Sequence, residues 1–474
     1  MGVEEQSKKL NIGKNITYSV FAQVISLAVS FVIGFLVPKF IDEIQYAYWQ
    51  IFALYVGYVG VLQFGILDGI VLRYGQYDYE DIPKRLFSSQ FKLLLSLLTV
   101  IDIVIVSVGK IFLDDMTYTI IVLVCLGIFS KNTFAYVTYL LQITNRIKKY
   151  TFVVITQRVV HGLVVSILLL IKSNNYVLYC LSDLIGDAAA IAIGVLYNKG
   201  CFFSKSVPVN DAFNEAKLNI AAGILLMVAN WSSMMIVGGA KMFIQWNWDA
   251  LSFGKVSFAF SISNLFLTFA SAISVVLFPS LKRIDSSELP RLYTELNQML
   301  SPALFFILVF FFPGRWILGL WLPKYSVSLK YLGLMLPSVI YISKVSLLTN
   351  NYLKAYRKEK QLLYVNLITV TLALLCFAIS TFVFHSMEAV LLSIVMVVYV
   401  RFVISDRIVL KEIQQHRSSE YITEAALTLV FIAAASYHGF DVGFFIYLAS
   451  LAIYILLIKK KSSRISTSSG RPKP

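Results

Sequence analysis

Roughly twenty mostly apolar residues in a row recur fourteen times along this 474-residue chain, and that repetition decides the fold class. At 1.5 Å per residue a helix of about twenty residues crosses ~30 Å, the thickness of a bilayer's hydrocarbon core. Lipid offers no partner for a bare peptide group, so only helices and closed barrels cross it. The alternating ten-residue strands of a barrel are absent. The chain therefore reads as an all-α polytopic membrane protein. Its spans are expected near 15–37, 46–72, 92–109, 117–140, 152–171, 176–197, 217–238, 253–278, 299–320, 331–352, 362–384, 387–405, 421–437 and 442–458. Composition agrees: 58% of residues are hydrophobic and 14% charged, against about 25% charged in soluble domains. The N-terminus is polar (Glu4, Glu5, Lys8, Lys9) and the first apolar run is as long as the later ones, so no cleavable signal peptide is read.

A net charge of +15 would point to nucleic acid in a soluble protein. Here cationic cytoplasmic loops account for it, and no nucleic-acid partner is expected. With the N-terminus inside, about 30 of the 41 Lys and Arg fall on the cytoplasmic side and roughly eight at outer ends. Both termini are then cytoplasmic. The outer connections are short, too small for the domain of a membrane glycosyltransferase or polymerase. No Walker A loop is present, so the chain does not draw directly on ATP, and no cofactor is expected. Cys125, Cys180, Cys201 and Cys376 lack metal-ligand spacing and point to neither a disulfide frame nor a metal site. The longest internal linker, 198–216, holds Pro208 and mixed charge. It divides twelve spans into bundles at 1–197 and 217–405, parallel repeats about an axis along the membrane normal. Two extra spans (406–458) and a basic tail (459–474) follow.

Ionisable groups inside spans are costly and face a cavity or one another. Three cations remain within spans by this reading: Lys131, Arg158 and Lys344. Counted from the cytoplasmic helix ends they lie ~16, ~12 and ~14 Å deep. Ser130-Lys131 and Ser343-Lys344 stand 213 residues apart, and Tyr352-Leu353 falls where Tyr139-Leu140 places it. Such a match points to a paired internal architecture with a polar pathway. His161 is one turn from Arg158. Asp183 and Asp187 share a face of span six, in the outer half. Asp102 also lies toward the outside, and Asp68 ~8 Å from the inner end of its span. Three roles stay open for the lysines: snorkelling to the headgroups, a structural ion pair with Asp68 or Asp183, or a shared cationic site for an anion. Asp183 with Asp187 could couple transport to H⁺ or Na⁺, or serve as partners of a cation. His161 reads as a packing residue or a proton carrier.

Phe64 to Gly75 reads FGILDGIVLRYG, ending in Arg73-Tyr74-Gly75, and the turns TYLLQITNRIKKY and NNYLKAYRKEKQ close spans four and ten. These stretches resemble polysaccharide flippases of the multidrug/oligosaccharidyl-lipid/polysaccharide superfamily, and above all its O-antigen (Wzx-type) translocases. The family's Leu-Gly is rearranged here, with Asp68 directly before Gly69. The resemblance implies a V-shaped pair of six-helix bundles, as in MATE transporters and MurJ, around a central cationic cavity. Its cargo would be an undecaprenyl-pyrophosphate-linked oligosaccharide, moved from the cytoplasmic to the outer leaflet of a bacterial inner membrane by alternating access. Lys131, Lys344 and Arg158 would hold the pyrophosphate, and breaks at Pro279, Pro302, Pro313 and Pro337 would let the second bundle bend. Partners implied are membrane lipid, H⁺ or Na⁺, and the polysaccharide polymerase and chain-length machinery. A MATE-like drug/cation antiporter is the alternative, and it should carry an acidic central site.

Overall fold

The computed structural model describes residues 24–75, 77–281, 288–415, 418–437 and 440–468. Within them every regular element is a helix. Helices α1 (Val24–Phe40) and α2 (Glu43–Val56) lead through a 3₁₀ turn (Val59–Gln63) into α3 (Ile66–Tyr74). There follow α4 (Lys84–Phe112), α5 (Asp115–Ile143), α6 (Ile147–Leu170), α7 (Tyr176–Tyr197), the short α8 (Lys199–Phe203) and α9 (Val209–Asn247). Next come α10 (Ala250–Leu281), α11 (Leu289–Ile307), α12 (Phe311–Trp321), α13 (Ser326–Met335), α14 (Pro337–Lys344) and α15 (Asn350–Ala355). The chain closes with α16 (Glu359–Phe382), α17 (Met387–Glu412), α18 (Ser418–Ser436) and α19 (Phe440–Ser468).

Ten of the helices in the described residues are long and apolar enough to cross a membrane, or twelve spans if two bent pairs each count as one. The expected start of the first span (15–23) and the end of the basic tail (469–474) lie outside the described residues. Both bends have local causes. The 57° bend between α2 with its 3₁₀ turn and α3 sits on two successive left-handed residues, Phe64 (φ 51°) and Gly65 (φ 80°). The 44° bend before α14 falls at Pro337, which lacks the N–H that would continue the helix. Pro302 lies within α11, six residues before a 3₁₀ turn at Leu308–Phe310. The side chain of Pro279 is outside the described residues.

The caps explain where helices start and stop. Asp114 accepts from the Thr117 amide at 3.1 Å, and Asn175 from the Val177 amide at 2.9 Å, opening α5 and α7. At the other ends Asn145, Arg357 and Gln414 take left-handed conformations. The next amide then reaches back five residues, as in Arg146 to Leu141 at 2.9 Å and Lys358 to Leu353 at 2.7 Å, closing a Schellman turn. These are the two basic turns singled out in the sequence.

The chain divides into two compact units, Met1–Ser257 and Phe258–Pro474. The division falls inside α10, whereas the sequence places its boundary at 198–216. Residues 199–203 of that linker are helical, and α9 is held in the first unit by tight packing on α3. There Gly69 and Gly223 bring backbone against backbone. A Cβ on Gly69 would lie 1.9 Å from the Asn219 carbonyl oxygen, and one on Gly223 2.1 Å from that of Gly65. The six-plus-six grouping is a statement about repeats in the chain; this division is one about packing. In the second unit α18 and α19 are not peripheral. They pack on α11, α12, α13 and α14, with Tyr447 donating to the Phe305 carbonyl at 2.8 Å and Arg315 to that of Ala435 at 2.8 Å.

Candidate functional site

In the first unit the intramembrane charges converge on Lys131. Its Nζ lies 2.8 Å from Asp183 Oδ2 and 2.8 Å from Asp187 Oδ2. Three helices build this cluster. Lys131 and Ser130 come from α5, and Ser130 donates to Asp187 at 2.8 Å. Asp183 and Asp187, one turn apart on α7, present both carboxylates to the same side. From α6, Gln157 Nε2 donates to Asp183 and to Asp187, each at 3.1 Å. Gly186 lets α6 come close enough for that, since a Cβ there would sit 2.8 Å from the Gln157 carbonyl oxygen. Asp187 is sealed, at 1% side-chain exposure, while Lys131 keeps 25% and Asp183 21%.

This geometry corrects the depths read from the sequence, which set Lys131 in the inner half and the aspartates in the outer. They meet at one level. Helix α5 runs 29 residues, about 44 Å, so counting from its end misstates depth. Of the three roles open for Lys131, the ion pair is the one present, and its partners are Asp183 and Asp187. Asp68 is elsewhere, buried and accepting from Gln63 Nε2 at 3.1 Å.

Arg158 and His161 part company despite their spacing. His161 is buried, with Nδ1 3.2 Å from Ser182 Oγ. Ser182 Oγ also lies 2.6 Å from the Tyr179 carbonyl oxygen, so it bridges the imidazole to the backbone of α7. Arg158 is exposed, and among the described residues no carboxylate lies within ion-pair distance of it. Asp102 on α4 lines an apolar cavity of about 830 Å³ between α4, α5 and α7, together with Cys125, Ser130 and Thr133. One of its carboxylate oxygens is buried without a hydrogen-bond partner.

The FGILDGIVLRYG segment is α3 with its bend, and its chemistry is docking. Arg73 forms a two-pronged ion pair with Glu215 and also donates to Asn219, both on α9. Tyr74 adds a bond to Glu215 at 2.9 Å. Asp68, five residues before Arg73, takes no part in that pairing.

Lys344 in the second unit is wholly buried, at 0% side-chain exposure. Its Nζ lies 2.6 Å from Glu424 Oε1 on α18 and 4.1 Å from the centre of the Phe402 ring on α17. Tyr341 stands 2.7 Å from Thr428, and Tyr454 donates to Glu424 at 3.4 Å. Directly after Lys344 the helix widens into a π-turn, Val345–Thr349, a feature frequent at functional positions. The sequence match with Lys131 is inexact in structure: Lys131 precedes the left-handed residue of its turn by fourteen positions, Lys344 by thirteen.

Several buried polar residues escaped the sequence reading. Glu424 did, because spans thirteen and fourteen read as additions. Its signal is a carboxylate set inside an otherwise apolar helix. Arg401 on α17 is a further cation within a span, 6% exposed and donating to Asn366 at 2.7 Å. Asp406, five residues on, accepts from Tyr293 and from Tyr421.

Comparison of the sequence with protein-family models and with curated proteins gives no match. Solved structures do match. The lipid II flippase MurJ in an inward-closed conformation aligns with a TM-score of 0.65 at 14% identity, over 95% of this chain and 99% of that one. An inward-facing multidrug resistance MATE family transporter of the MOP superfamily aligns with a TM-score of 0.58 at 12% identity, over 83% and 98%. A eukaryotic MATE transporter gives 0.54 at 15% identity, over 85% and 96%. MurJ is matched over nearly the whole of both chains, and the MATE transporters over most of this one. The chain thus has the all-helical fold seen in MurJ and in MATE transporters.

Proposed function

We propose that this protein is a transporter working by alternating access. Its cargo would be a lipid-linked oligosaccharide with a pyrophosphate head, such as an undecaprenyl-pyrophosphate-linked O-antigen or related surface-polysaccharide unit. In this reading it sits in a bacterial inner membrane with both termini cytoplasmic, spans it fourteen times and moves cargo from the cytoplasmic to the periplasmic leaflet. The observation that carries this is the pair of lysines in apolar helices, each in ion-pair contact with one or more carboxylates of its own unit. A lysine in a span is costly unless something needs its charge. A pyrophosphate carries at least two negative charges and competes with a carboxylate for an ammonium. Lys131, partly exposed, is the first contact; Lys344 and Arg158 complete the cationic set.

Displacing a carboxylate from its lysine leaves an anion that must take up a proton or a cation. Asp183, Asp187 and Glu424 are therefore the points where an H⁺ or Na⁺ gradient would enter, with His161 beside Asp183. Asp102 is a further candidate, and Asp68 with Arg73 serves the α3–α9 contact. Polymerase and chain-length machinery would receive the product.

A second reading has its own support. The first unit sets two carboxylates against one lysine, an acidic excess suited to a drug/cation antiporter. One host experiment separates the two. In a flippase-deficient strain the wild-type chain should restore surface polysaccharide, and Lys131→Ala with Lys344→Ala should abolish it while still reaching the membrane. Undiminished surface glycan from that double variant rejects the cationic site. Resistance to a hydrophobic cation such as ethidium, lost on Asp183→Asn with Asp187→Asn, would replace the first reading with the second.

A further inference from the structure

The stretch that joins α8 to α9 is fastened along the first turns of α4. Ser88 Oγ lies 3.0 Å from the carbonyl oxygens of both Phe202 and Ser204. Ser89 Oγ accepts from the Val207 amide at 2.9 Å, and Gln90 donates to the Ala212 carbonyl at 2.8 Å. These three side chains are buried. What the strap leaves outside is a group of cations. Arg85 donates to the carbonyls of Lys205 and Ser206, each at 3.4 Å, and Lys92 Nζ donates to Ser206 Oγ at 2.8 Å. Ser206 accepts in that bond and keeps its own proton to give. Arg85, Lys92 and Lys205 are all exposed. Among the described residues no carboxylate lies within ion-pair distance of any of the three. Glu80, the acid just before α4, is taken by Lys84 at 3.2 Å.

An apolar surface starts where these charges end. Along α4 beyond Lys92 the exposed positions include Ser96, Thr99, Val100, Ile103 and Val104. That is one stripe at helical spacing, about 18 Å long. Its two hydroxyls ask for nothing from outside, because Ser96 donates to the Lys92 carbonyl at 2.9 Å and Thr99 to that of Leu95 at 2.8 Å. Beside the strap Phe203 is 76% exposed. A free anion would meet the cations and leave the stripe unused. A phosphodiester carrying hydrocarbon chains matches both. A zwitterionic headgroup brings its own ammonium to a place that already holds three cations; an anionic one does not. We infer that the foot of α4 and the strap form a binding site for an anionic phospholipid. Lys92, Lys205 and the Ser206 hydroxyl take the phosphate, and a chain lies along the stripe toward Val104. Phe203 enters the neighbouring hydrocarbon, and Arg85 fastens the strap and adds its charge. Placing the site in the cytoplasmic leaflet rests on the topology proposed above; the headgroup preference does not.

Native mass spectrometry of the purified full-length chain reads the site, with phosphatidylglycerol and phosphatidylcholine of identical chains as probes. No lipid-linked oligosaccharide is present, so the result is separate from the flippase reading. Wild type should hold phosphatidylglycerol about tenfold or more tightly than phosphatidylcholine. Lys92→Gln with Lys205→Gln should remove most of that preference and leave phosphatidylcholine binding and the gel-filtration profile as they were. Lys148→Gln with Lys149→Gln takes the same charge from the exposed start of α6 and should leave the preference in place. Equal binding of the two lipids by wild type overturns the proposal. So does an equal loss in both double variants, which would mean a diffuse basic rim and no site. Displacement of the lipid by inorganic phosphate would replace it with a site for a free anion.

Discussion

The two lysine clusters solve one problem in opposite ways. In the first unit Lys131 is shared by two aspartates of α7, which also accept from Gln157 of α6, and a quarter of its side chain stays accessible. In the second, Lys344 meets a single glutamate 80 residues further along the chain and is closed under an aromatic ring. The open cluster sets a second carboxylate on the lysine, so Lys131 keeps a partner when one aspartate is displaced. The closed pair is one-to-one, and either partner alone would be a bare ion in an apolar interior. The first arrangement suits exchange with something arriving from outside; the second suits a switch that must be unlocked.

That contrast can be broken by truncation. Glu424→Ala strands the Lys344 ammonium and should cost about 3–5 kcal/mol, the usual penalty for half of a buried pair. Lys131→Ala should cost less, about 1–2 kcal/mol, because the site is partly screened and the two aspartates left behind can share a proton. Unfolding by SDS titration in mixed micelles measures both. Equal losses would mean that the clusters are alike. Gly186→Ala probes the scaffold of the open cluster. Its methyl would press on the Gln157 backbone, at a cost of about 1–3 kcal/mol, and should lower stability without touching a charge. The smallest effect expected is from Ser130→Ala, which removes one bond to Asp187 and should cost about 0.5–1.5 kcal/mol by the same titration.

What the sequence disclosed follows from where the information is local. Apolar runs, bounding polar turns and the bias of Lys and Arg are each written within some twenty residues, so the helices and the all-α class could be read directly. The basic turns after α5 and α15 were legible for the same reason, since a Schellman turn closes within six residues. Asp183 as a partner of Lys131 was among the alternatives because both stand out in apolar text. Glu424 was hidden by distance along the chain: nothing near Lys344 announces an acid on α18. Relative depth misled as well, because long helices overrun the hydrocarbon and their ends are poor rulers. The inward role of α18 and α19 belongs to packing, which no window of sequence contains.

The contact between α3 and α9 has a consequence for how sequences of this kind can drift. Gly65, Gly69 and Gly223 leave no side chain between two helices, so the spacing there is set by peptide groups alone and admits no larger residue at any of the three positions. Homologous chains should therefore keep three glycines that a residue-by-residue view would call featureless, even where the side chains around them change freely.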